Sequence, residues 1–430
     1  MNRIGPFLNN LMEGGDWATS HSAETRRNLR WFWADGLFAA ASDAIPLTYF
    51  TLYLLAIGMS ATQIGLLNSL TNLSSALILL PGALMVERFG HRKELAVLFG
   101  GTIARFLLVV LALLPLGLAG KGLLWAMMAV SIIRSIGGNL TFPAWMSMTA
   151  DIVPIEGRGR YFGSRNLAVN AASMLVTYLA GQWITQSGSL AGHQFALTAS
   201  FILGMASTFS FNKIHDPRPD HQSAETFSLR SAIADLRASP AFLALCAVAA
   251  IWNFFINLSG PFFSVYMVEE LHFTAAMIGM TNIIPAITRI LTQRKAGEMT
   301  DRFGARNIQA LLMFLIPALP LAWVFTRSYT GVLIIQATAG VLWGTFELVS
   351  FNVLLGILPQ NLQARYSAIY QIIVALAFSG GAVAGSTVLA LWSYPGIFIT
   401  TTLGRLVAAV AFVFVLRSIK FDTGKGSSSS

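Results

Sequence analysis

The sequence predicts an all-α membrane protein with about twelve transmembrane helices, arranged as two pseudo-symmetric six-helix bundles around a central cavity. Of its 430 residues, 55% are hydrophobic and 11% are charged, whereas soluble proteins carry about 25% charged residues. A charged turn between two apolar runs also recurs in the second half of the chain, which indicates an internal repeat. Apolar runs of membrane-spanning length lie at 31–57, 64–86, 94–117, 122–150, 161–186, 194–211, 240–267, 276–297, 307–326, 331–355, 366–392 and 396–418.

The recurring turn joins the second and third apolar runs of each half. Residues 87–92 read Glu-Arg-Phe-Gly-His-Arg, and residues 301–306 read Asp-Arg-Phe-Gly-Ala-Arg. The repeat extends beyond the turn, because Asp43 of the first run corresponds to Asn257 of the seventh. An acid and an arginine can pair across such a turn, and the glycine permits a tight reversal of the chain. The two halves are therefore interpreted as duplicated bundles.

Both turns resemble the signature that the major facilitator superfamily carries between the second and third helices of each half, Gly-x-x-x-Asp-Arg-x-Gly-Arg-Arg/Lys. The first copy departs from this signature at Ala83, Glu87 and His91. The resemblance implies a secondary transporter that works by alternating access, and we expect the two turns to act as gates on the inner side. The expected gating residues are Glu87, Arg88, Gly90, Arg92, Gly297, Asp301, Arg302, Gly304 and Arg306.

The polar stretches between the apolar runs predict the domain organisation. We expect a cytoplasmic N-terminal segment over 1–30 and six-helix bundles over 31–211 and 240–420. A cytoplasmic linker with an amphipathic stretch is expected over 212–239. Residues 421–430 are interpreted as a disordered tail or a scar of cloning.

The positions of Lys and Arg predict the orientation of the spans. Most of the 28 Lys and Arg residues lie on the same side as the N-terminus, whereas the loops on the opposite side carry only Lys121 and Arg327. Cytoplasmic loops are enriched in Lys and Arg. Both termini are therefore expected in the cytoplasm, with the chain crossing the inner or plasma membrane many times. Residues 1–30 show no cleavable signal peptide.

Ionisable side chains inside the spans are the first candidates for function, because each costs at least about 2.5–3.5 kcal/mol to place at the centre of a bilayer. None of them has an opposite charge four residues along its own helix, so they must pair across helices or face a wet cavity. Each acid can instead form a purely structural pair, and Arg105 is interpreted as structural or as a partner of these acids. The predicted proton-coupling acids are Asp43, Asp35 and Glu347, and the predicted charge partners are Arg134, Arg289 and Arg405.

Asp43 is predicted to be the main proton-linked carboxylate, with Arg134 as its switchable partner. Arg134 and Gly138 resemble the Arg-x-x-x-Gly segment in the fourth helix of the superfamily's drug/proton antiporters. Two acids in the first span, Asp35 and Asp43, also resemble the multidrug/proton antiporter branch. The fifth helix of those antiporters carries a Gly-Pro-x-x-Gly-Gly-like run, whereas residues 161–186 contain no proline. The resemblance therefore predicts the superfamily and leaves antiport open.

Aromatic and neutral polar residues suit the walls of a substrate cavity. Aromatic walls with a few polar groups favour an amphipathic organic substrate, although most aromatic stripes in membrane helices only pack. The residues predicted to line the cavity are Tyr49, Trp252, Asn253, Asn257, Tyr266, Trp343 and Gln371.

The chain is predicted to be a secondary active transporter that exports amphipathic organic compounds or drugs by coupling to protons. Two alternatives stay open: a proton-coupled importer of a small polar solute such as a sugar or nucleoside, and a lipid translocator. The sequence contains no motif of the common hydrolases, metalloproteases or nucleotide-binding proteins, so no enzyme is expected. The expected partners are a small-molecule substrate, protons and the lipid bilayer, with no cofactor, metal or nucleic acid, and the chain is expected to act as a monomer.

Overall fold

The computed structural model describes residues 10–188, 190–216, 240–357 and 363–418. These residues form helices and turns, with no strand among them. The predicted linker is described only at its beginning, residues 212–216, and the predicted tail lies outside the described residues.

The first half of the described chain folds into helices joined by short turns. In order they are α1 (Ala23–Ala56), α2 (Ala61–Phe89), α3 (Arg92–Gly117), α4 (Gly120–Ile152), α5 (Ile155–Ser187) and α6 (Leu190–Asn212). Two of them are irregular inside. Residues Ala96–Ile103 of α3 form a π-helical stretch, and α4 is broken at Thr141, next to Pro143. A proline at that point removes one helical hydrogen-bond donor, which accounts for the break in α4.

The second half continues in the same way. It contains α7 in two parts (Pro240–Ser259 and Phe262–Glu269), α8 (Ala275–Phe303), α9 (Ala305–Phe325), α10 (Tyr329–Ile357), α11 (363–392) and α12 (394–418). The interruption of α7 falls at Gly260 and Pro261, where proline removes a donor. Helices α11 and α12 meet at Ser393, whose φ of 60° lies in the left-handed region and ends the first of them.

Ten helical segments of the described chain are long and apolar enough to cross a membrane. One of them, Ile369–Val415, contains both α11 and α12, and α2 is a further helix of 29 residues. The prediction of an all-α membrane protein with about twelve transmembrane helices is therefore confirmed.

Helix α1 begins earlier than the apolar run that starts at residue 31. The side chain of Ser22 accepts a hydrogen bond from the backbone N–H of Thr25 (3.1 Å) and so caps the helix. The buried carboxylate of Glu13 binds Arg26 (2.9 Å). Arg26 lies in the first turns of α1, and this ion pair gives its charge a partner. These turns are polar, and hydropathy therefore does not reveal them as part of the helix.

Contacts divide the chain into two compact units. The first unit contains the described residues up to 216 together with Ser264–Ile283, and the second contains 240–263 and 284–418. Helices α7 and α8 therefore each contribute residues to both units.

In the first unit, α1 packs against α5 and α6 around large aromatic side chains. The hydroxyl of Tyr161 on α5 donates a hydrogen bond to the carbonyl oxygen of Leu29 on α1 (2.7 Å). The ring of Tyr161 also stacks on Phe32, with 6.2 Å between the ring centroids. Both Tyr161 and Phe32 are fully buried. This contact fixes the beginning of α5 against α1, and Phe32 lies about one helical turn before Asp35 of α1.

In the second unit, glycines allow α7 and α11 to approach closely. A Cβ atom on Gly385 of α11 would lie 2.9 Å from the carbonyl carbon of Leu258 on α7. That distance is shorter than an ordinary carbon–carbon contact, and the neighbouring atom belongs to the backbone. Close approach of membrane helices through small residues is a common means of packing where no water is available to drive association.

Gly385→Ala is expected to destabilise the protein by about 1–3 kcal/mol, because the added methyl group pushes α11 away from the backbone of α7. The measurement is thermal unfolding of the purified protein in detergent. Gly163→Ala on α5 is the matched control, since nothing lies within 4 Å of a Cβ atom at that position, and alanine is the better helix former. An equal melting temperature for Gly385→Ala and wild type would contradict close packing at this point.

Candidate functional site

The acid Asp43 lies on α1 in the first unit and forms an ion pair with Arg105 of α3. Both carboxylate oxygens take part: Nη1 of Arg105 donates to Oδ1, and Nη2 donates to Oδ2 at 3.3 Å. The Asp43 side chain is 42% exposed and that of Arg105 is 14% exposed. The Asp43 side chain is therefore partly exposed, although the pair lies inside predicted spans.

Three features of the surrounding chain position Arg105. It directly follows the π-helical stretch of α3, and such stretches re-aim the residues that come after them. Gly204 on α6 leaves room for the side chain, because a Cβ atom there would lie 2.6 Å from Cδ of Arg105. The hydroxyl of Ser42 accepts a hydrogen bond from Nη1 of Arg105 (2.9 Å) and lies 2.7 Å from the carbonyl oxygen of Ser200.

The predicted partner of Asp43, Arg134 on α4, is not the residue that binds it in this structure. Its Nε atom is buried and has no hydrogen-bond partner among the described residues. Asp43 is the acid that acts electrostatically on Arg134, and Arg105 is the neighbouring cation. The first unit thus holds two arginines and one acid together, and one of the two guanidinium groups pairs with that acid.

The second acid of α1, Asp35, occupies a closed environment. It is 6% exposed and accepts a hydrogen bond from the hydroxyl of Ser207 on α6 (2.7 Å). Arg165 of α5 lies 3.8 Å away, and its Nε donates to the carbonyl oxygen of Phe32 (3.1 Å). Gly36 leaves space for this guanidinium, since a Cβ atom there would lie 2.5 Å from its central carbon. Asp35 therefore belongs to a buried pair, in contrast to the accessible Asp43.

The first charged turn ends in a buried cluster centred on Arg92. This residue is fully buried, and its guanidinium binds Asp151 at the end of α4 (2.7 Å) and Asp216 beyond α6 (2.5 Å). It also donates to the hydroxyl of Ser147 (2.8 Å). The cluster ties together the ends of three helices of the first unit. Gly90 has φ 68°, which supplies the reversal that the sequence predicts.

The second charged turn is more open. Gly304 has φ 82°, so both glycines of the repeat adopt the left-handed backbone that the turn requires. The side chains of Asp301 and Arg302 are exposed, and Arg302 lies over the ring of Phe303 at 5.1 Å. Arg306 is half-buried. Of the remaining predicted gating residues, Arg88 is exposed, Gly297 lies inside α8, and the side chain of Glu87 lies outside the described residues.

The second unit contains a partly open cavity of about 290 Å³. Its walls come from α7, α9, α10, α11 and α12, and its volume is at the lower end of the range for small-molecule pockets. The rings of Trp252, Trp343 and Phe346 form one side, with 5.3 Å between the centroids of Trp252 and Phe346. The lining residues are Leu245, Val248, Ala249, Trp252, Asn253, Ile256, Gln309, Met313, Trp343, Phe346, Glu347, Ser350, Tyr370, Val374 and Phe412.

One ion pair lies at this cavity. Glu347 of α10 accepts a hydrogen bond from Nη1 of Arg289 on α8 (3.2 Å), and the Glu347 side chain is 62% exposed. Gly344 makes room for Arg289, because a Cβ atom there would lie 2.5 Å from its Cγ. The predicted acid and one of its predicted partners are thus brought together.

Other predicted wall residues lie elsewhere. Tyr49 is buried in the first unit and donates to the carbonyl oxygen of Thr177 (2.5 Å). Tyr266 is also buried, and neither tyrosine lines the cavity of the second unit. Asn257 is buried and donates to the carbonyl oxygen of Phe378 (2.8 Å). Gln371 is exposed on α11 and is not among the lining residues. Trp252, Asn253 and Trp343 are the predicted wall residues that line it.

Sequence reasoning missed several residues of these clusters. Asp151 and Asp216 stand where α4 and α6 end, and an acid at the end of a span beside a turn rich in arginine is a signal that could have revealed them. Arg165 lies near the beginning of the fifth apolar run, where the sequence does not distinguish a charge of the inner side from a charge within the span. Phe346 and Gln309 carry no sequence signal that distinguishes a cavity wall from ordinary packing.

Comparison with known proteins places the chain among transporters. A relative from Deinococcus radiodurans described as a putative sugar efflux transporter is 24% identical over 182 residues. That match covers 41% of this chain and 46% of the relative, so it spans about half of the relative's length. A protein from Serratia proteamaculans described as multidrug resistance protein MdtG is 21% identical over 398 residues, which cover 90% of this chain and 92% of that protein.

Solved structures show the same fold. The crystal structure of a point mutant of the nucleoside transporter NupG matches with a TM-score of 0.72 at 11% identity, over 90% of this chain and 98% of that one. The crystal structure of a D-xylose–proton symporter matches with a TM-score of 0.65 at 15% identity, over 92% of this chain and 98% of that one. At these identities the likeness shows the fold alone. The sequence profile of the Major Facilitator Superfamily matches residues 36–259 and 254–429. The chain therefore belongs to the Major Facilitator Superfamily and is a membrane transporter.

Proposed function

We propose that this transporter is a secondary active, proton-coupled exporter of amphipathic organic compounds that works by alternating access. The observation that carries the proposal is the half-exposed Asp43 paired with Arg105 inside the predicted spans. Charged groups at this depth are unfavourable unless they are paired or reach water, and in transporters they commonly mark proton pathways. Asp43 meets both conditions.

The coupling step follows from the electrostatics of this pair. A deprotonated Asp43 binds Arg105, whereas a protonated Asp43 loses most of that attraction and can separate from it. Arg134 stands nearby with an unpartnered Nε and is proposed as the group that receives Asp43 in another state of the cycle. Glu347, paired with Arg289, is a second proposed proton carrier. Asp35 is a weaker candidate, because it is buried.

The proposed substrate class follows from the aromatic cavity of the second unit. Indole and phenyl rings provide the apolar contact that an amphipathic compound needs, while Asn253 and Glu347 supply polar contacts beside them. Export is favoured by two relatives whose names refer to efflux of sugars and to multidrug resistance.

A second candidate function is import of a small polar solute such as a sugar or nucleoside. Three polar atoms at the cavity support it, because they are buried and have no hydrogen-bond partner among the described residues: Nε1 of Trp252, Oε1 of Gln309 and Oγ of Ser350. A hydroxyl-rich solute would satisfy these atoms. A lipid translocator is a further variant of the export proposal.

The gating turns and the cellular setting are part of the same proposal. The Arg92 cluster supports a role for the first turn as an inner-side latch, since it joins α3, α4 and α6 at the end where the turn lies. The distribution of Lys and Arg supports both termini in the cytoplasm and a place in the inner or plasma membrane. The chain is proposed to act as a monomer and not as an enzyme.

The test is transport in proteoliposomes with an imposed pH gradient, run against amphipathic dyes, hexoses and nucleosides. An exporter that exchanges substrate for protons is expected to accumulate an amphipathic dye in vesicles with an acidic lumen. Accumulation of a hexose or nucleoside in vesicles with an alkaline lumen would instead identify the importer. Equal fluxes with and without a pH gradient for every compound would refute proton coupling.

A further inference from the structure

Arg405 of α12 is a buried cation at the cavity of the second unit. It is 4% exposed. Its Nε atom has no hydrogen-bond partner among the described residues, and its Nη2 atom donates only a long hydrogen bond, 3.5 Å, to the carbonyl oxygen of Ile256. Its central carbon lies 5.8 Å from the ring centroid of Trp343. Ile256 and Trp343 both line the cavity, so the guanidinium lies behind two residues of its wall, although Arg405 is not itself a lining residue.

The charges at this wall do not balance. Glu347 and Arg289 bind each other and neutralise one another. Arg405 forms no salt bridge with any described residue, so one positive charge is left over. A buried ion without a counter-ion is strongly unfavourable. The contact with the face of Trp343 compensates part of this, because cation–π attraction is weaker than a charge-assisted hydrogen bond.

A second unpartnered donor lies beside the same ring. Nε1 of Trp252 is buried without a hydrogen-bond acceptor among the described residues. The ring centroids of Trp252 and Trp343 are 6.2 Å apart. Two residues in contact with Trp343 therefore each carry a buried N–H group that lacks an acceptor. Buried donors of this kind are normally satisfied, and an exception needs an explanation.

We propose that this cavity binds an organic anion, a carboxylate carried on an aromatic or similarly planar apolar body. The carboxylate accepts a hydrogen bond from Nε1 of Trp252 and is attracted by the positive charge of Arg405 behind the wall, and the apolar body lies against Trp343 and Phe346. The proposal rests on the proposed function and narrows its substrate class to amphipathic carboxylates. It also assigns Arg405 a role in binding rather than in proton transfer.

The alternative is that Arg405 only joins helices. In that case the carbonyl oxygen of Ile256 and the ring of Trp343 would be its whole environment, and the cavity would have no preference for negative charge. The two possibilities differ in what the protein binds, and matched ligands of the same shape therefore separate them.

The experiment measures quenching of tryptophan fluorescence in the full-length protein in detergent by three matched probes: 2-naphthoate, 2-naphthamide and 2-naphthylmethylammonium. Attraction by the positive charge of Arg405 is expected to give 2-naphthoate a Kd about tenfold lower than that of 2-naphthamide. The ammonium probe is expected to bind more weakly than either. Equal Kd values for naphthoate and naphthamide in the wild type would overturn the proposal.

Variants then locate the preference. Arg405→Gln is expected to lose the tenfold preference for naphthoate over naphthamide, whereas Arg405→Lys keeps part of it. Arg294→Gln, which removes an exposed arginine of α8, is the control and is expected to keep the preference in full. A preference that survives in Arg405→Gln would also overturn the proposal. If Arg405→Gln does not fold, the Kd values of naphthoate and naphthamide in the wild type test the proposal by themselves.

Failure of this inference can be told from failure of the proposed function. A wild-type protein that accumulates amphipathic dyes along a pH gradient but binds naphthoate and naphthamide equally would refute the anion site and leave the exporter intact. A tenfold preference for naphthoate without any transport dependent on pH would keep the anion site and refute proton coupling.

Discussion

Asp43→Asn is expected to abolish accumulation driven by a pH gradient while leaving substrate binding, and some exchange, intact. Asparagine keeps the shape of aspartate and one oxygen that can accept a hydrogen bond from Arg105, but its NH2 group cannot accept the second one, and it neither carries a charge nor binds a proton. The proposed substrate cavity lies in the second unit, whereas Asp43 lies in the first, so the variant leaves the walls of that cavity unchanged. The measurement compares accumulation under a pH gradient with exchange at equal pH in proteoliposomes.

The control for this prediction is a carboxylate outside the proposed pathway. Glu298 pairs with Arg294 on the exposed face of α8, and Glu298→Gln is expected to transport as the wild type does. Melting temperatures of both variants establish that the protein is folded. If Asp43→Asn still transports uphill with an unchanged dependence on pH, Asp43 is structural, and Glu347 or Asp35 is the next carboxylate to replace.

The second large effect is expected in the stability of the protein, measured as its free energy of unfolding. Arg92→Gln should destabilise the protein by about 3–5 kcal/mol, because it leaves Asp151 and Asp216 facing each other without their cation. The guanidinium is fully buried, so water replaces none of its contacts. Thermal unfolding of the purified protein in detergent measures the loss.

Two further variants sharpen this result. Arg294→Gln removes an exposed pair one turn apart on α8 and is expected to change the free energy of unfolding by no more than about 0.5 kcal/mol. Combining Arg92→Gln with Asp216→Asn removes a charge from each side of the cluster. The double variant is expected to be less unstable than the sum of the single changes. Strict additivity would mean that Arg92 acts without Asp216.

The sequence was sufficient for the fold and for the location of the charges. Apolar runs and the repeated turn predicted the helices, since segments that cross a bilayer must satisfy their backbone internally. The intramembrane acids were predicted to pair across helices or to face a wet cavity, and in the structure Asp43, Asp35 and Glu347 each lie within salt-bridge distance of an arginine on another helix. The need for a partner follows from the free-energy cost of an isolated charge in an apolar medium.

The identity of the partner of Asp43 could not be predicted, whereas Arg289, the partner of Glu347, was among the predicted charge partners. Which face of a helix carries a side chain depends on the exact helical period, and the π-helical stretch in α3 changes that period before Arg105. The residues that line the cavity were equally difficult to predict from the sequence. Trp252 and Tyr266 both lie on α7 and look alike in the sequence, but the break at Gly260 separates them, and only Trp252 lines the cavity.

The π-helical stretch makes the length of α3 part of the site. A helix turns by about 100° for each residue, and a π-helical turn holds one residue more than an α-helical turn. A deletion of one residue within Ala96–Ile103 would restore the ordinary period and leave the apolar composition of the span almost unchanged. Because the π-helical turn takes up the additional residue within one rotation, this deletion would leave Arg105 on nearly the same face of α3, towards Asp43. A deletion of one residue from the α-helical part of α3 before Arg105, with the π-helical stretch kept, would instead rotate Arg105 by about 100°, away from Asp43. Relatives with one residue fewer in α3 would therefore keep this pair only where the π-helical stretch is absent.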